Sequence, residues 1–325
     1  MRAVLIDDLG PDSTLRVGEA DAPVAGPDDL RIETRAFAVN RGDLMQRKGM
    51  YPPPPGASPI PGLECAGEVV EVGSAVSGWS IGDRAMALLP GGGYASEAVV
   101  HAGSAMHVPE GMSWTDAAAV PEVFLTVHLT VFQLAALPDG GALLVHGGGS
   151  GIGTAATQMV KAVGGTVFAT AGSEEKCARC RELGADVAVN YREAFFSEAV
   201  AEHTGGRGVD VVLDSIGGAY LGDNLASLAI GGRLVLIGLM GGAKAEISLA
   251  TVMLKRLQVI GSTLRARPVR EKAAIVADFE ARFGADLAAG RIRPIVDRVL
   301  PMADIEAAHR AMEASEHFGK IVLTP

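Results

Sequence analysis

The stretch Leu143 to Val163, LLVHGGGSGIGTAATQMVKAV, decides the fold. An apolar run, Ala142 to Val145, breaks into a glycine cluster, Gly147-Gly148-Gly149-Ser150-Gly151-Ile152-Gly153. Ile152, Ala155, Ala156, Met159, Val160 and Val163 then recur as one helical face. Strand, glycine turn and helix together present backbone N–H groups and the positive end of a helix dipole to a phosphate. A Cβ in such a turn would obstruct both its tight path and the approach of a pyrophosphate. No register gives a complete G-x-G-x-x-G. Gly148-x-Ser150-x-x-Gly153 has Ser at the middle position, and Gly151-x-Gly153-x-x-Ala156 fits the looser form ending in Ala. Thr154 after Gly153 excludes a P-loop, which needs Lys there, and Ile152 excludes a nucleophile elbow centred on Ser150. A dinucleotide loop is the reading that survives.

Working outward, apolar runs at Ala142–Val145, Thr166–Ala171, Val187–Asn190, Val209–Asp214, Arg233–Ile237 and Leu257–Ile260 alternate with helical patterns. Near-continuous apolar strands between helices predict an α/β fold, a doubly wound parallel sheet covered on both faces. Its ligand belongs across the carboxyl ends of the strands. The preceding segment, to about residue 115, is short β-like runs between turn residues, such as Arg2–Ile6, Leu30–Ala38 and Gly67–Val72. The run Tyr51-Pro52-Pro53-Pro54-Pro55-Gly56 predicts a stiff extended loop. After Thr263 a helix over Glu271–Ala288, a strand at Ile292–Val299, a helix from Asp304 and a strand at Lys320–Leu323 form a third unit or complete the first domain.

Composition narrows the class. A length of 325 residues suits about two domains. A formal charge of −10, from 28 Lys plus Arg against 38 Asp plus Glu, is a poor footprint for nucleic acid or an anionic membrane. Three cysteines, Cys65, Cys177 and Cys180, are too few and too odd for a disulfide framework and fit a reducing cytosol. The N-terminus MRAVLIDDLG lacks the apolar core of a signal peptide, and Pro121, Glu122, His128 and Gln133 interrupt the apolar window Ala117–Leu137, which reads as a buried helix. A cytoplasmic protein is expected.

The second strand of the α/β segment ends in Gly172-Ser173, with Lys176 a helical turn on, where a NAD site would have a carboxylate. A hydroxyl and a lysine favour the 2′-phosphate of NADPH, with Glu174 and Glu175 as the competing feature.

Several stretches together resemble the quinone oxidoreductases of the medium-chain dehydrogenase/reductase superfamily, closest to the zinc-free, NADPH-dependent zeta-crystallin branch. They are Asn40-Arg41-Gly42-Asp43-Leu44-Met45-Gln46-Arg47, the Tyr51 proline loop, Gly62-Leu63-Glu64-Cys65-Ala66-Gly67-Glu68-Val69, the glycine cluster and the run AGSEEK. Asn190-Tyr191-Arg192-Glu193, Gly238-Leu239-Met240-Gly241-Gly242 and Gly319-Lys320-Ile321-Val322-Leu323 complete the set. The resemblance implies a GroES-like β-barrel domain over 1–120 and 265–325 and a Rossmann domain over 121–264. It also implies a homodimer joined through the edges of the Rossmann sheets. Zinc dehydrogenases of this superfamily carry G-H-E where this chain has Gly62-Leu63-Glu64; Asn40 stands near the early cysteine position, and no cysteine lies between 66 and 176. No metal is expected. Cys177-x-x-Cys180 has no second pair to make a zinc site and reads as two thiols packed on one helix face.

Without a metal to polarise the acceptor, a quinone or a conjugated carbonyl is the chemically consistent substrate, because incoming charge delocalises through it. By resemblance, Tyr51 donates to the acceptor oxygen and Asn40 orients nicotinamide or substrate, the two forming the catalytic pair. Thr126 meets the nicotinamide ribose or carboxamide, and Ser150, Gly151 and Ile152 the pyrophosphate. Ser173, Lys176 and Tyr191 surround the 2′-phosphate. Gly238, Leu239, Met240, Thr263, Leu264 and Arg265 line the nicotinamide side. The first expectation is therefore an NADPH:quinone reductase. The second is reduction of activated C=C bonds in enals, enones or enoyl thioesters, though no basic cluster for coenzyme A stands out beyond Arg265, Arg267 and Arg270. The third is a non-catalytic NADPH- or RNA-binding protein, which the net charge disfavours.

Overall fold

Alternating apolar and polar residues draw the N-terminal segment into strands, because successive side chains point to opposite faces of a sheet. In the computed structural model, which describes Met1–Pro325, β1 (Arg2–Asp7) and β2 (Thr14–Glu19) form an antiparallel ribbon. β3 (Asp29–Ala38) is followed by the short helix α1 (Arg41–Arg47), then β4 (Glu64–Val72), β5 (Arg84–Leu88), β6 (Glu97–His101) and β7 (Ala105–His107). β3 is the hub: it pairs with β4 from Leu30 to Phe37 and with β6 from Asp29 to Glu33. Gly67 of β4 has no room for a side chain, since a Cβ there would lie 2.0 Å from the Glu33 carbonyl oxygen on β3.

The apolar window expected as one buried helix is divided. α2 (Trp114–Ala117) stops, α3 (Pro121–Val127) restarts at a proline, and His128–Leu134 follows as a π-helical turn. Proline accounts for the break, since it has no N–H to continue α2 yet suits the first position of a new helix.

Next come β8 (Ala142–His146), α4 (Gly151–Ala162), β9 (Thr166–Ala171), α5 (Glu174–Glu182), β10 (Val187–Asn190) and α6 (Phe196–His203). β11 (Val209–Asp214), α7 (Leu221–Ser227), β12 (Leu228–Leu236), α8 (Leu249–Lys255) and β13 (Gln258–Gly261) complete the alternation. The strands lie in the order β10-β9-β8-β11-β12-β13, all parallel. This is the predicted doubly wound sheet, with its direction of winding reversing between β8 and β11. Leu144, Phe168, Val212 and Leu234 lie in its buried core.

The C-terminal pieces answer the question the sequence left open. α9 (Val269–Ala288), β14 (Val296–Pro301), α10 (Ile305–Glu313) and β15 (Lys320–Thr324) return to the first sheet, β15 pairing with β3 at Val322 opposite Ala38. The order of that sheet is β14-β15-β3-β4-β5-β7, with β6 on β3. Two compact units result: Met1–Leu125 with Leu264–Ala288 and Arg293–Pro325, and Thr126–Thr263 with Ala289–Ile292. No helix is long and apolar enough to cross a membrane.

Candidate cofactor and active site

In the doubly wound unit the glycine turn joins β8 to α4. Gly147 has φ +71°, a left-handed conformation that favours glycine. A Cβ on Gly153 would lie 2.4 Å from the Gly147 carbonyl oxygen, and one on Gly148 would lie 2.8 Å from both Ala169 Cβ and Cys180 Sγ. Ser150 caps α4, its hydroxyl accepting from the Gly153 N–H at 3.0 Å. That leaves the first-turn N–H groups of Gly151 and Ile152 without intrahelical acceptors and aimed out of the turn. Ser150 thus shapes this anion site through its cap. Cys177 and Cys180 are both buried on α5, and Cys180 packs against the turn.

The end of β9 gathers the residues expected at the adenosine phosphate. Ser173 caps α5 by accepting from the Lys176 N–H at 3.3 Å. The phenol oxygen of Tyr191, just past β10, is the atom nearest to where a Gly172 Cβ would stand, at 2.7 Å. Ser173, Lys176 and Tyr191 therefore come together. Glu174, a competitor for a ribose hydroxyl, is paired with Arg181 at 2.7 Å. Gly238, Leu239 and Met240 form a loop after β12 anchored by the Met240 N–H on the Ser215 carbonyl at 3.2 Å, with the Leu239 and Met240 side chains exposed. Thr263 follows β13. The hydroxyl of Thr126 is buried and has no hydrogen-bond partner within the chain. An unpaired buried hydroxyl costs about 1–3 kcal/mol, so this atom fits a contact with a bound nicotinamide. The turn, its two free N–H groups and this hydroxyl fit a pyridine dinucleotide.

In the other unit a buried polar network surrounds Asn40. Its Nδ2 donates to Glu64 Oε1 at 2.9 Å and to the Ala38 carbonyl at 3.3 Å, and its Oδ1 accepts from Lys320 Nζ at 2.6 Å. Lys320 also donates to the Val39 carbonyl at 3.0 Å and lies 2.7 Å from Glu64 Oε1, which fills its three donor positions. Glu64 Oε2 accepts from the Glu122 N–H at 2.8 Å. Asp43 accepts from the N–H groups of Asn40 and Gly62 and from the Tyr94 hydroxyl; burial pushes its carboxyl up to about 6 against these bonds. Asn40, expected to face nicotinamide or substrate, has its amide wholly engaged in holding Glu64 and Lys320 in place.

A zinc ion does not fit here. Leu63 has no donor atom, the Lys320 ammonium already neutralises Glu64, and no group of three or more His, Cys, Asp or Glu side chains is arranged to hold a metal.

Tyr51 sits on the proline loop over the Arg265 guanidinium, 5.2 Å from it to the ring centroid. Arg265 itself is buried and donates to the carbonyls of Pro90 and Tyr51 and to Gln46 Oε1, at 2.6, 2.9 and 2.7 Å. These three acceptors make it an anchor for the Tyr51 loop. Leu264 beside it is buried as well. Glu122, at the start of α3, was not among the expected site residues. Burial first, and the neighbouring Glu64 carboxylate second, push its carboxyl up to about 8. Burial and then Glu122 raise the Tyr51 phenol above its ordinary value. Lys272, also buried, donates to the Arg265 carbonyl at 3.2 Å, and burial lowers it while Glu122 raises it. The signal for Glu122 was present in sequence: an acid directly after proline inside an apolar window.

A family profile described as an alcohol dehydrogenase GroES-like domain matches residues 26–110, and one described as a zinc-binding dehydrogenase matches residues 151–279. Among curated relatives, squalestatin tetraketide synthase of Phoma sp. is 33% identical over 322 residues, which are 96% of this chain and 12% of that protein. The chain thus spans a small part of the length of the curated relatives it matches. Three solved structures share the fold from end to end. An NAD-dependent alcohol dehydrogenase is 31% identical with a TM-score of 0.85, all of both chains being covered. The Escherichia coli quinone oxidoreductase complexed with NADPH is 29% identical with a TM-score of 0.87, covering 100% of this chain and 99% of that one. The CurK enoyl reductase is 28% identical with a TM-score of 0.85, covering 99% and 98%. The glycine turn on a doubly wound sheet, the nested second domain and these matches lead to one conclusion: the chain is an oxidoreductase of the medium-chain dehydrogenase/reductase superfamily, with a GroES-like domain and a Rossmann domain of the pyridine-nucleotide-binding type.

Proposed function

We propose that the chain reduces the activated C=C bond of an enoyl thioester or related conjugated carbonyl with NADPH and without zinc. The observation that carries this reading is the half-buried Glu122 at the start of α3, whose carboxyl burial and the Glu64 carboxylate push up to about 8 and which is electrostatically coupled to the Tyr51 phenol. Reduction of C=C adds hydride at the β-carbon, moves the π electrons toward the carbonyl oxygen and requires a proton at the α-carbon. A carbon centre protonates slowly, so a held acid accelerates that step. Quinol oxygens take protons from water and need no such donor. Similarity to a tetraketide synthase and to an enoyl reductase supports the same choice.

When bound, the dinucleotide supplies the hydride. The chain's own residues do the rest. Gly151 and Ile152 donate to the pyrophosphate from the turn that Ser150 caps. Ser173, Lys176 and Tyr191 hold the 2′-phosphate, and Thr126 fixes the carboxamide, with Gly238, Leu239, Met240 and Thr263 beside it. Tyr51 donates its phenol hydrogen to the carbonyl oxygen, and Glu122 delivers the proton. Arg265 holds the Tyr51 loop, and Asn40 and Lys320 fix Glu64, which holds the Glu122 N–H; these four are positioning residues.

Quinone reduction, the sequence's first expectation, becomes the second reading, supported by the similarity to the E. coli quinone oxidoreductase. NADPH oxidation with a crotonyl thioester, a 2-alkenal and 1,4-benzoquinone separates the two. The thioester is expected to give a kcat/KM about tenfold or more above the quinone, a difference of about 1.4 kcal/mol in transition-state binding. The opposite ranking would restore the quinone reading, and no turnover with any acceptor would leave a binding role. We further propose a cytoplasmic homodimer: β13 is an unpaired sheet edge, and Val259 on it and Leu249, Met253 and Leu254 on α8 are exposed apolar side chains that a second copy would cover.

A further inference from the structure

Four buried side chains that hydride transfer does not use form one hydrogen-bond chain across the carboxyl ends of β9, β8 and β11. Thr170 Oγ1 lies 3.1 Å from His146 Nδ1, His146 Nε2 lies 2.7 Å from Asn224 Oδ1, and Asn224 Nδ2 lies 3.0 Å from Asp214 Oδ2. All four residues are at most 2% exposed.

Chemistry fixes the direction of every link. The Asp214 carboxylate only accepts, so Asn224 turns its NH2 to it and its oxygen to His146. His146 then carries its hydrogen on Nε2 and accepts at Nδ1, and the Thr170 hydroxyl donates. Burial lowers His146 to about 4, keeping the ring neutral, and Phe196 and Tyr220 pack edge-on against it with centroids 4.7 and 4.9 Å away.

Each end of the chain holds a loop. Thr170 receives the Gly147 N–H on its hydroxyl at 3.4 Å and the Gly148 N–H on its carbonyl at 2.8 Å. Asp214 receives the N–H groups of Ile216 at 2.6 Å and Gly217 at 3.1 Å. The Ser215 and Ile216 carbonyls in turn hold the N–H groups of Met240 and Gly241. One end therefore fixes the pyrophosphate turn and the other fixes the loop expected beside the nicotinamide.

We propose that Thr170, His146, Asn224 and Asp214 work as a single positioning relay that sets the spacing of these two loops, and through it the affinity for the whole dinucleotide. The proposal rests on the dinucleotide reading of the Gly147–Gly153 turn. A relay of this kind fails as a unit, because one missing link leaves the remaining donors and acceptors misdirected.

The test is a double-mutant cycle on NADPH affinity, measured by calorimetry well below the unfolding temperature of every variant. Thr170→Val, isosteric and at home in a strand, and Asn224→Leu are each expected to raise the NADPH Kd about tenfold, as loss of a buried hydrogen bond does. The double variant is expected to lose about the same tenfold rather than a hundredfold. Thr170→Ser restores the hydroxyl and with it the affinity. Amide exchange gives the mechanical readout: Thr170→Val speeds exchange at Ile216 and Gly217, at the far end of the chain. An unchanged Kd beside a lowered Tm, multiplicative losses, or exchange confined to Gly147 and Gly148 would each overturn the relay. Should Asn224→Leu not fold, the Thr170→Val and Thr170→Ser pair with exchange decides alone. A wild-type chain that binds neither NADPH nor NADH refutes the cofactor reading itself and the affinity claim with it; the exchange data still judge the mechanical coupling.

Discussion

On the proposed reading, Lys176 carries the preference between the two dinucleotides. A lysine beside a 2′-phosphate makes a charge-assisted contact that a ribose hydroxyl cannot match. Lys176→Ala is expected to weaken NADPH about tenfold and NADH hardly at all in parallel titrations; equal losses would remove it from the phosphate site. Glu122 makes a prediction about pH. If its protonated form delivers the proton, the rate falls as pH rises through about 8, and Glu122→Gln lowers the rate and abolishes that limb. Stability moves with it. Unfolded Glu122 ionises near its ordinary 4.5, whereas the folded group holds its proton to about 8. Folding therefore takes up a proton across that window, and stability falls as pH rises through it. Glu122→Gln should flatten that decline, and a melting series identical to wild type would refute the raised pKa of this acid. That Ser173 and Lys176 stand together was legible in sequence, because they lie one turn apart at the end of a readable strand. Lys320 as a partner for Asn40 was not, because its meaning depends on a residue 280 positions away. Burial of a charge is a property of the pair.

Among the elements, α4 depends on its glycines in a way that overrides helix propensity. Alanine in place of an interior helical glycine ordinarily gains about 1 kcal/mol. At Gly153 the new Cβ would lie 2.4 Å from one backbone oxygen and 2.5 Å from the Gly148 Cα, and overpacking of that kind costs about 1–3 kcal/mol. Gly153→Ala is therefore expected to lower Tm and weaken dinucleotide binding together, read by melting and calorimetry; a higher Tm would mean the turn relaxes freely. The β13 edge offers a second prediction. Val259→Lys with Leu254→Glu puts charge on the exposed edge and helix, so light scattering should show half the wild-type mass with an unchanged circular-dichroism spectrum. A monomeric wild type would dispose of the dimer. Periodicity located the six parallel strands well, since the inner strands, buried on both faces, read as plain apolar runs. It failed over Ala117–Leu137, where apolar composition conceals the stop of α2 at Ala117, the restart at Pro121 and the π-helical turn after Val127. Hydrophobicity reports burial and says little about which hydrogen-bond ladder the backbone takes.

At the scale of the whole molecule, two buried histidines make the fold sensitive to acid. Burial holds His146 down to about 4 and His309 to about 3, the latter helped by the Arg47 charge. Both stay neutral in the folded chain while the unfolded chain binds protons near the ordinary 6.5. Their contribution is whole above that value and drains away as pH falls from 6.5 toward 4. The midpoint of thermal unfolding is expected to drop steeply over that interval, and a flat profile would place water or a counter-charge beside the rings. The GroES-like and Rossmann architecture was legible because a run of motifs in order constrains far more than any one of them. The nesting has a temporal side. β3 is made long before its partner β15 emerges, and Glu64 waits as long for its ammonium. A growing chain can complete its nucleotide-binding sheet while the earlier sheet still lacks its closing strand. Of the two sheets, the one begun earlier is thus the one sealed later, and a ribosome that stalls short of Lys320 would hold a polypeptide with a naked carboxylate at its heart.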